Sequence, residues 1–440
     1  MSILSVNKLA LDLVARDFSN GHVPTNGGPT KTSRALAIIH LAARDAYAKV
    51  TSTFAPRLAG LPSPPPGLGT DDATGAMAVL GAGLRAAILL YPDDAAYVST
   101  QAARLICGTD PNALFYGSQI GDRWIASRQD DGASAPQTDD WYSLEPGHHR
   151  PDPVSKLPTL GRAWGQVSPF VIGNVAIDAP LDPPPPMHSR QYGEAFDDVF
   201  VNGRNNIEQR DAKFQQHAAI GLYWGYDGSN QIGTPPRLYN QVIVAASEFK
   251  SLSHAKQVNI LAAINAAMAD AGIAAWYWKY AYDLWRPVVA IREAEQGFGP
   301  TGKGDQNPYR EHDGDPFWLP LGAPKSNPLS LPASNFTPNF PAYPSGHATF
   351  GTACFETFAG LVGKKTDEIA VHLVSDEFNG STTDNEGVVR PVWQQTFSLK
   401  AGIEQNAISR IYLGVHWIFD ATGGETVGRA IAAKAVAAFQ

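Results

Sequence analysis

Apolar residues recur at helical spacing through most of this chain. Residues 4–17 and 33–50 repeat near the 3.6-residue period, and the second stretch, SRALAIIHLAARDAYAKV, places Ser33 as its N-cap. His40 falls within the apolar face of that helix and reads as a packed core histidine. After a proline-rich turn at 61–68, helical spacing resumes from 71 to 105, with Asp94–Leu105 a separate helix beyond the break at Pro92. The pattern returns at 191–224, 237–250 and 252–293, then at 348–362, 366–378, 394–412 and 415–438. Residues 294–340 are rich in Gly and Pro and carry no alternating strand signal. No repeat, heptad or strand–helix alternation interrupts this picture. The prediction is an all-α chain with long ordered loops, one helical domain over residues 1–440.

Residues 131–190 contain PGHHRPDP and LDPPPPM, too many prolines for long helices. Trp141, Trp164 and Phe170 are interleaved with those prolines, and a solvated linker seldom carries so many aromatics. The segment is expected to be an ordered loop laid across the helical body. His148 and His149 suggest a metal pair, but adjacent side chains on a loop diverge and no further ligands stand at metal-site spacing. Both read as surface histidines.

Composition narrows the function. A hydrophobic content of 44% with 17% charged residues describes a folded protein, and a net charge of −8 excludes nucleic acid or an anionic membrane as the main partner. An anion site must then be a local positive pocket. Two cysteines, Cys107 and Cys354, exclude a disulfide framework or a cysteine-rich zinc site and read as buried free thiols, with a single disulfide as the alternative. The first residues, MSILSVNKLALDLVARDF, carry Asp12, Arg16 and Asp17 and read as an amphipathic helix rather than a signal peptide. No run of about 18 apolar residues is apparent, so no membrane-spanning helix is expected. That combination points to the cytoplasm, with export by another route as the alternative, and leaves monomer and homodimer both open.

Three clusters in the C-terminal half carry candidate chemistry. FPAYPSGHAT, at 340–349, sets Ser345, Gly346 and His347 just before a helix. Free N–H groups at a helix start attract anions, glycine lets an anion approach the main chain, and histidine can exchange a proton with it. In WYWKYAYDLWRPVVAIRE, Lys279 and Arg286 are seven residues apart, two turns of a continuous helix, on one face with Trp276 and about 10 Å apart. Asp283 lies between them, so a solvated ion-pair row is the plain alternative. The aromatics around these cations argue for burial, where one aspartate is too few for both. In SRIYLGVHWIFD, six residues separate Arg410 from His416, which excludes a shared helical face; Gly414 suggests that one helix ends and another begins between them. Asp420, one turn beyond His416, either holds the imidazole or caps local charge.

K-x6-RP, PSGH and SR-x5-H-x3-D, in that order, resemble the superfamily that joins type 2 phosphatidic acid phosphatases, bacterial acid phosphatases and vanadium haloperoxidases. WGYDGSNQIGTPPRLYN, DGDPFWLPLGAP, FPAYPSGHATFG, NAISRIYLGVHWIFDA and SRALAIIHLAARDAY extend the resemblance to the vanadium chloroperoxidase branch over most of the chain. The resemblance implies an all-helical fold of two four-helix bundles in one body, with the active-site motifs within 272–421. It implies vanadate bonded to the His416 nitrogen, its oxygens held by Lys279, Arg286, Ser345, the Gly346 N–H and Arg410, and phosphate in the same place when vanadate is absent. His347 matches the acid–base histidine, Asp227 the carboxylate that orients Arg410, and Trp276 and Phe340 the halide pocket.

The implied reaction is oxidation of chloride or bromide by hydrogen peroxide to hypohalous acid, which passes to a small organic acceptor or diffuses away. His347 would take the peroxide proton and Lys279 would polarise the peroxide. Phenylalanine at 340, where bromide-preferring algal relatives commonly carry histidine, leans toward chloride. The alternative is a soluble acid phosphatase of the same superfamily, with His416 as nucleophile and His347 protonating the leaving group. A helical binding protein without catalysis is the third reading.

Overall fold

A computed structural model describes the chain except residues 1, 20, 107–109, 137, 140–141, 206–210, 324–335 and 385. The expectations for Cys107 and Trp141 lie outside the described residues. The first helices are α1 (Ser2–Asp17), α2 (Gly28–Thr51), α3 (Asp72–Leu90), α4 (Ala95–Leu105) and α5 (Pro111–Ser127). Strands β1 (Thr138–Asp139) and β2 (Thr159–Leu160) pair antiparallel. The helices then continue with α6 (Val175–Asp178), α7 (Arg190–Asn202), α8 (Ala212–Tyr223), α9 (Pro235–Ala245), α10 (Ser247–Lys250), α11 (His254–Tyr282) and α12 (Pro287–Glu293). Last come α13 (Gly346–Val362), the antiparallel strands β3 (Ala370–Val374) and β4 (Gln394–Ser398), α14 (Leu399–Tyr412) and α15 (Ile418–Phe439). The fold is all-α, a helical-bundle body with small strand pairs at its margin.

Helices α1, α2, α3 and α5 pack together, and α13 and α15 pack against α11 with α14 on the outer side of that pair; α11 also lies against α2 and so ties the two groups. The sequence of α11 is apolar on every side, and its burial follows from that. It and α3 are the helices among the described residues long and apolar enough to cross a membrane, against the expectation that none would qualify; the apolar window of α11 is 94% buried inside the protein. Alanine and glycine supply that apolarity, and the core uses it for close packing. A Cβ at Gly424 would stand 2.6 Å from the Ser345 carbonyl oxygen, so α15 presses directly on the start of α13.

Several expected boundaries move. Ser33 is not an N-cap: α2 begins at Gly28 behind Pro29, and the buried Ser33 hydroxyl donates to Thr30 O at 2.8 Å. A proline at the first turn starts this helix better than an internal serine. Helix α5 went unread, although Asp110–Pro111 supplies its start, with the Asp110 carboxylate accepting from Asn112 N–H. Residues 366–378 do not form the expected helix: single 3₁₀ turns at Thr366–Glu368 and Asp376–Phe378 flank the strand β3. Val371 faces the interior between exposed Ala370 and His372, and the segment pairs with β4, which also shortens the expected 394–412 helix. The 252–293 pattern breaks at Asp283, whose φ of 51° ends α11.

The 131–190 segment is tied to α11 by one carboxylate. Asp270 accepts the N–H groups of Phe170, Val171 and Ile172 at 2.7, 2.8 and 2.9 Å. His148 is exposed and pairs with Asp283 at 2.9 Å. His149 overturns the surface reading, because it is 3% exposed. Its loop is pinned by the backbone of the α11–α12 turn, which adjacent-residue reasoning could not anticipate.

Candidate functional site

Five helix ends meet at one place. Lys279 lies in the last turn of α11, Arg286 caps the start of α12, Ser345 caps α13, Arg410 lies in the last turn of α14, and His416 sits just ahead of α15. Helix starts offer free N–H groups, and three such starts point here. Ser345 N–H donates to Asp420 O at 2.8 Å, which couples α13 to α15. Gly414, at φ 70°, ends α14 so closely against Gly203 that a Cβ would lie 2.3 Å from its carbonyl oxygen. That turn swings His416 back toward Arg410.

Lys279 and Arg286 meet in space, but not as two turns of one helix. The break at Asp283 rotates Arg286 independently, and Asp283 is engaged by His148 rather than by either cation. Buried Lys279 Nζ donates to Pro341 O, Ala342 O and Pro344 O at 2.8, 3.0 and 2.6 Å. Three acceptors around one nitrogen require the ammonium form, although burial first, and then the Arg286 charge, pushes its pKa well below the usual lysine range. The lysine fastens the loop that leads into Ser345 and stands 5.2 Å from the Phe340 ring centroid.

Arg286 donates Nε–H to Phe340 O at 2.9 Å, and Nη1 reaches Val415 O at 2.7 Å and His416 Nε2 at 2.9 Å. Burial, opposed by Asp420, pulls its pKa down to about 9. Arg410 grips Asp227 with two parallel bonds of 2.9 Å. Burial pushes the Asp227 carboxyl up and Arg410 opposes it. His416 Nδ1 lies 2.8 Å from Asp420 Oδ2, which also accepts Trp417 N–H at 3.0 Å, so Asp420 holds the imidazole and fastens the start of α15. Burial raises Asp420 to about 7. With Nδ1–H assigned to the carboxylate, His416 Nε2 is unprotonated, and its lone pair accepts from Arg286 Nη1–H. His347 Nε2 meets Gly225 O at 2.8 Å, which assigns Nε2–H and leaves Nδ1 as the basic atom. Burial and the Arg410 charge hold both imidazoles well below the usual histidine range, Arg286 acting first on His416.

Above these groups lies a cavity of about 210 Å³. Its floor includes Asp227, Gly346, His347, Arg410 and His416, and its walls include Trp276 and Phe340. Trp276 and Phe340 pack with ring centroids 4.7 Å apart. Every site residue read from the sequence is therefore in one neighbourhood. Arg286 Nη2, Arg410 Nε and Trp276 Nε1 are buried without a partner among the described residues, as is Asp420 Oδ1. Three cations face the two carboxylates, and the unpartnered guanidinium hydrogens call for an acceptor-rich anion. A tetrahedral oxyanion such as vanadate or phosphate fits this donor set. Gly225, which holds His347 through its carbonyl, was not singled out from the sequence; a backbone acceptor leaves no side-chain signal.

The fold is shared with solved vanadium haloperoxidases. A bacterial vanadium-dependent iodoperoxidase superposes with a TM-score of 0.72 at 20% identity, covering 100% of this chain and 96% of that one. A holo-type bacterial vanadium-dependent chloroperoxidase gives 0.67 at 16% identity, covering 95% and 94%. Sequence narrows the class further. Residues 259–440 match the family described as VCPO second helical-bundle domain. The chain is 31% identical to the vanadium chloroperoxidase of Curvularia inaequalis, over 91% of its own length and 76% of that protein's. It belongs to the vanadium chloroperoxidase family.

Proposed function

We propose that this chain is a vanadate-dependent haloperoxidase that oxidises chloride or bromide with hydrogen peroxide to hypohalous acid. The observation that carries the reading is the set of buried, unpartnered guanidinium hydrogens beside a histidine whose Nε2 is unprotonated, its lone pair accepting from Arg286 Nη1–H. His416 Nε2 would bond vanadate, and Arg286, Arg410, Ser345 and the Gly346 N–H would hold its oxygens; Lys279, expected in that set, has its three hydrogens on carbonyl oxygens and would act through its charge. Phosphate would take the same donors. Bound vanadate supplies Lewis acidity toward peroxide.

The protein's own groups supply the rest. Asp420 fixes His416 in the Nδ1–H tautomer. Asp227 holds Arg410 flat against the pocket. His347 Nδ1, neutral because burial and Arg410 suppress its protonation, takes the proton from hydrogen peroxide. Lys279 keeps the 341–344 carbonyls in place and sets positive charge beside Phe340. Trp276 and Phe340 exclude water from the side where halide would approach.

The test follows bromination of a dimedone-type dye by purified protein, with and without orthovanadate, beside hydrolysis of p-nitrophenyl phosphate. Vanadate-dependent bromination is expected, and chloride then replaces bromide. Ester hydrolysis inhibited by vanadate, with no bromination between about pH 4 and 8, would make the chain a phosphatase with His416 as nucleophile.

A further inference from the structure

One buried titratable side chain beside this pocket has no part in the account so far. His149 is buried, and neither Nδ1 nor Nε2 has a hydrogen-bond partner among the described residues. A histidine that serves only packing normally satisfies its ring nitrogens. Buried His40 does so, with Leu36 O at 2.7 Å and the Asn7 side-chain amide at 3.0 Å.

The backbone around His149 is fastened to the turn that carries Arg286. His149 N–H donates to Asp283 O at 2.8 Å, and Trp285 N–H donates to Gly147 O at 3.0 Å. His148 and Leu284 form an antiparallel bridge between the same stretches. Arg150 then pairs with Glu293 at the far end of α12. Residues 147–150 thus clasp both ends of the segment capped by Arg286. Burial, then the Arg286, Lys279 and Arg150 charges, push the His149 imidazolium down to about 3, so the ring is neutral and one nitrogen is a bare acceptor. Arg286 Nη2 is buried and unpartnered in its turn.

We propose that His149 is a positioning residue for the oxyanion pocket, steadying the Arg286 guanidinium through a water that bridges its acceptor nitrogen to Nη2. This rests on the oxyanion reading given above. Buried waters typically join polar groups that lack protein partners. Nη2 carries two hydrogens, one for the water and one for the pocket. A guanidinium held on both sides loses less side-chain freedom when the anion arrives, so His149 should tighten anion binding without touching the anion.

The experiment is calorimetric titration of orthovanadate and of inorganic phosphate into wild type, His149→Phe and His149→Gln, with thermal melts of each ligand-free protein. His149→Phe is expected to bind orthovanadate about tenfold more weakly with an unchanged ligand-free melting temperature. His149→Gln, which keeps a donor and an acceptor, should regain part of that loss. His149→Leu serves in place of His149→Phe should the latter not fold. Equal binding by wild type and His149→Phe overturns the proposal, as does equal loss in both variants accompanied by a lower ligand-free melting temperature. Binding of neither anion by wild type would overturn the oxyanion reading itself, and this proposal with it.

Discussion

In the N-terminal helices, Arg44 and Asp45 are buried side by side, and the chain itself supplies their partners. Arg44 donates to Asn259 Oδ1, Ala55 O and Asp45, while Asp45 accepts from Arg57 N–H, Leu58 N–H and Trp124 Nε1–H. His40 nearby is satisfied at both nitrogens. In the C-terminal pocket, Arg286 and Arg410 are as deeply buried but keep Nη2 and Nε unpartnered, and Trp276 keeps its indole N–H. Both regions carry buried charge. The first closes its bonds internally and so reads as architecture; the second leaves bonds open and so reads as a receptor for an anion. Satisfaction of buried groups, rather than their charge, separates the two.

The largest expected effect lies in the pocket. His347→Ala should lower vanadate-dependent bromination by about 10²–10⁴-fold while orthovanadate still binds by calorimetry. An unchanged rate would remove His347 from proton transfer. The matching change in the N-terminal group is Asp45→Ala, which leaves the Arg44 guanidinium without its carboxylate. It should cost about 3–5 kcal/mol in urea unfolding, while activity per folded molecule stays the same. A comparable fall in specific activity would dissolve the contrast between the two regions.

Acid sharpens the comparison next. Burial lowers the folded-state pKa of His40 to about 4, against about 6.5 for an exposed histidine. Between those values the unfolded chain binds more protons than the native one, so stability should fall as pH drops below about 6.5. The His40 share reaches about 3 kcal/mol at pH 4, measurable as a flatter decline in His40→Gln. His347 is depressed in the same direction, so halogenation should persist below pH 6.5 and fail only as Nδ1 becomes protonated in stronger acid.

Ligand supply has a smaller effect on stability. Orthovanadate at about 100 times its Kd should stabilise the wild type by about 2.7 kcal/mol, and Arg286→Ala should lose most of that increment. An equal increment in Arg286→Ala would place the anion elsewhere. Least of all, removing the exposed Arg85–Asp122 pair by Arg85→Ala should change stability by under about 1 kcal/mol in the same urea assay.

The apolar period was enough to specify a helical protein, and the order K-x6-RP, PSGH and SR-x5-H-x3-D, through its resemblance to a known superfamily, collected Lys279, Arg286, Ser345, His347, Arg410 and His416 as partners. Those features are local: a spacing, a cap, a glycine between two helices. The short strand Ala370–Val374 was misread because its pairing partner lies twenty residues on and only the folded chain brings Gln394–Ser398 beside it. The Lys279–Arg286 geometry was misjudged because the left-handed turn at Asp283 depends on His148 and His149 arriving from a distant loop. The burial of His149 was hidden for the same reason. Sequence spacing fixes which groups can stand one turn apart; which donors stay unpartnered depends on contacts between segments far apart in the chain, and only the tertiary structure makes those contacts.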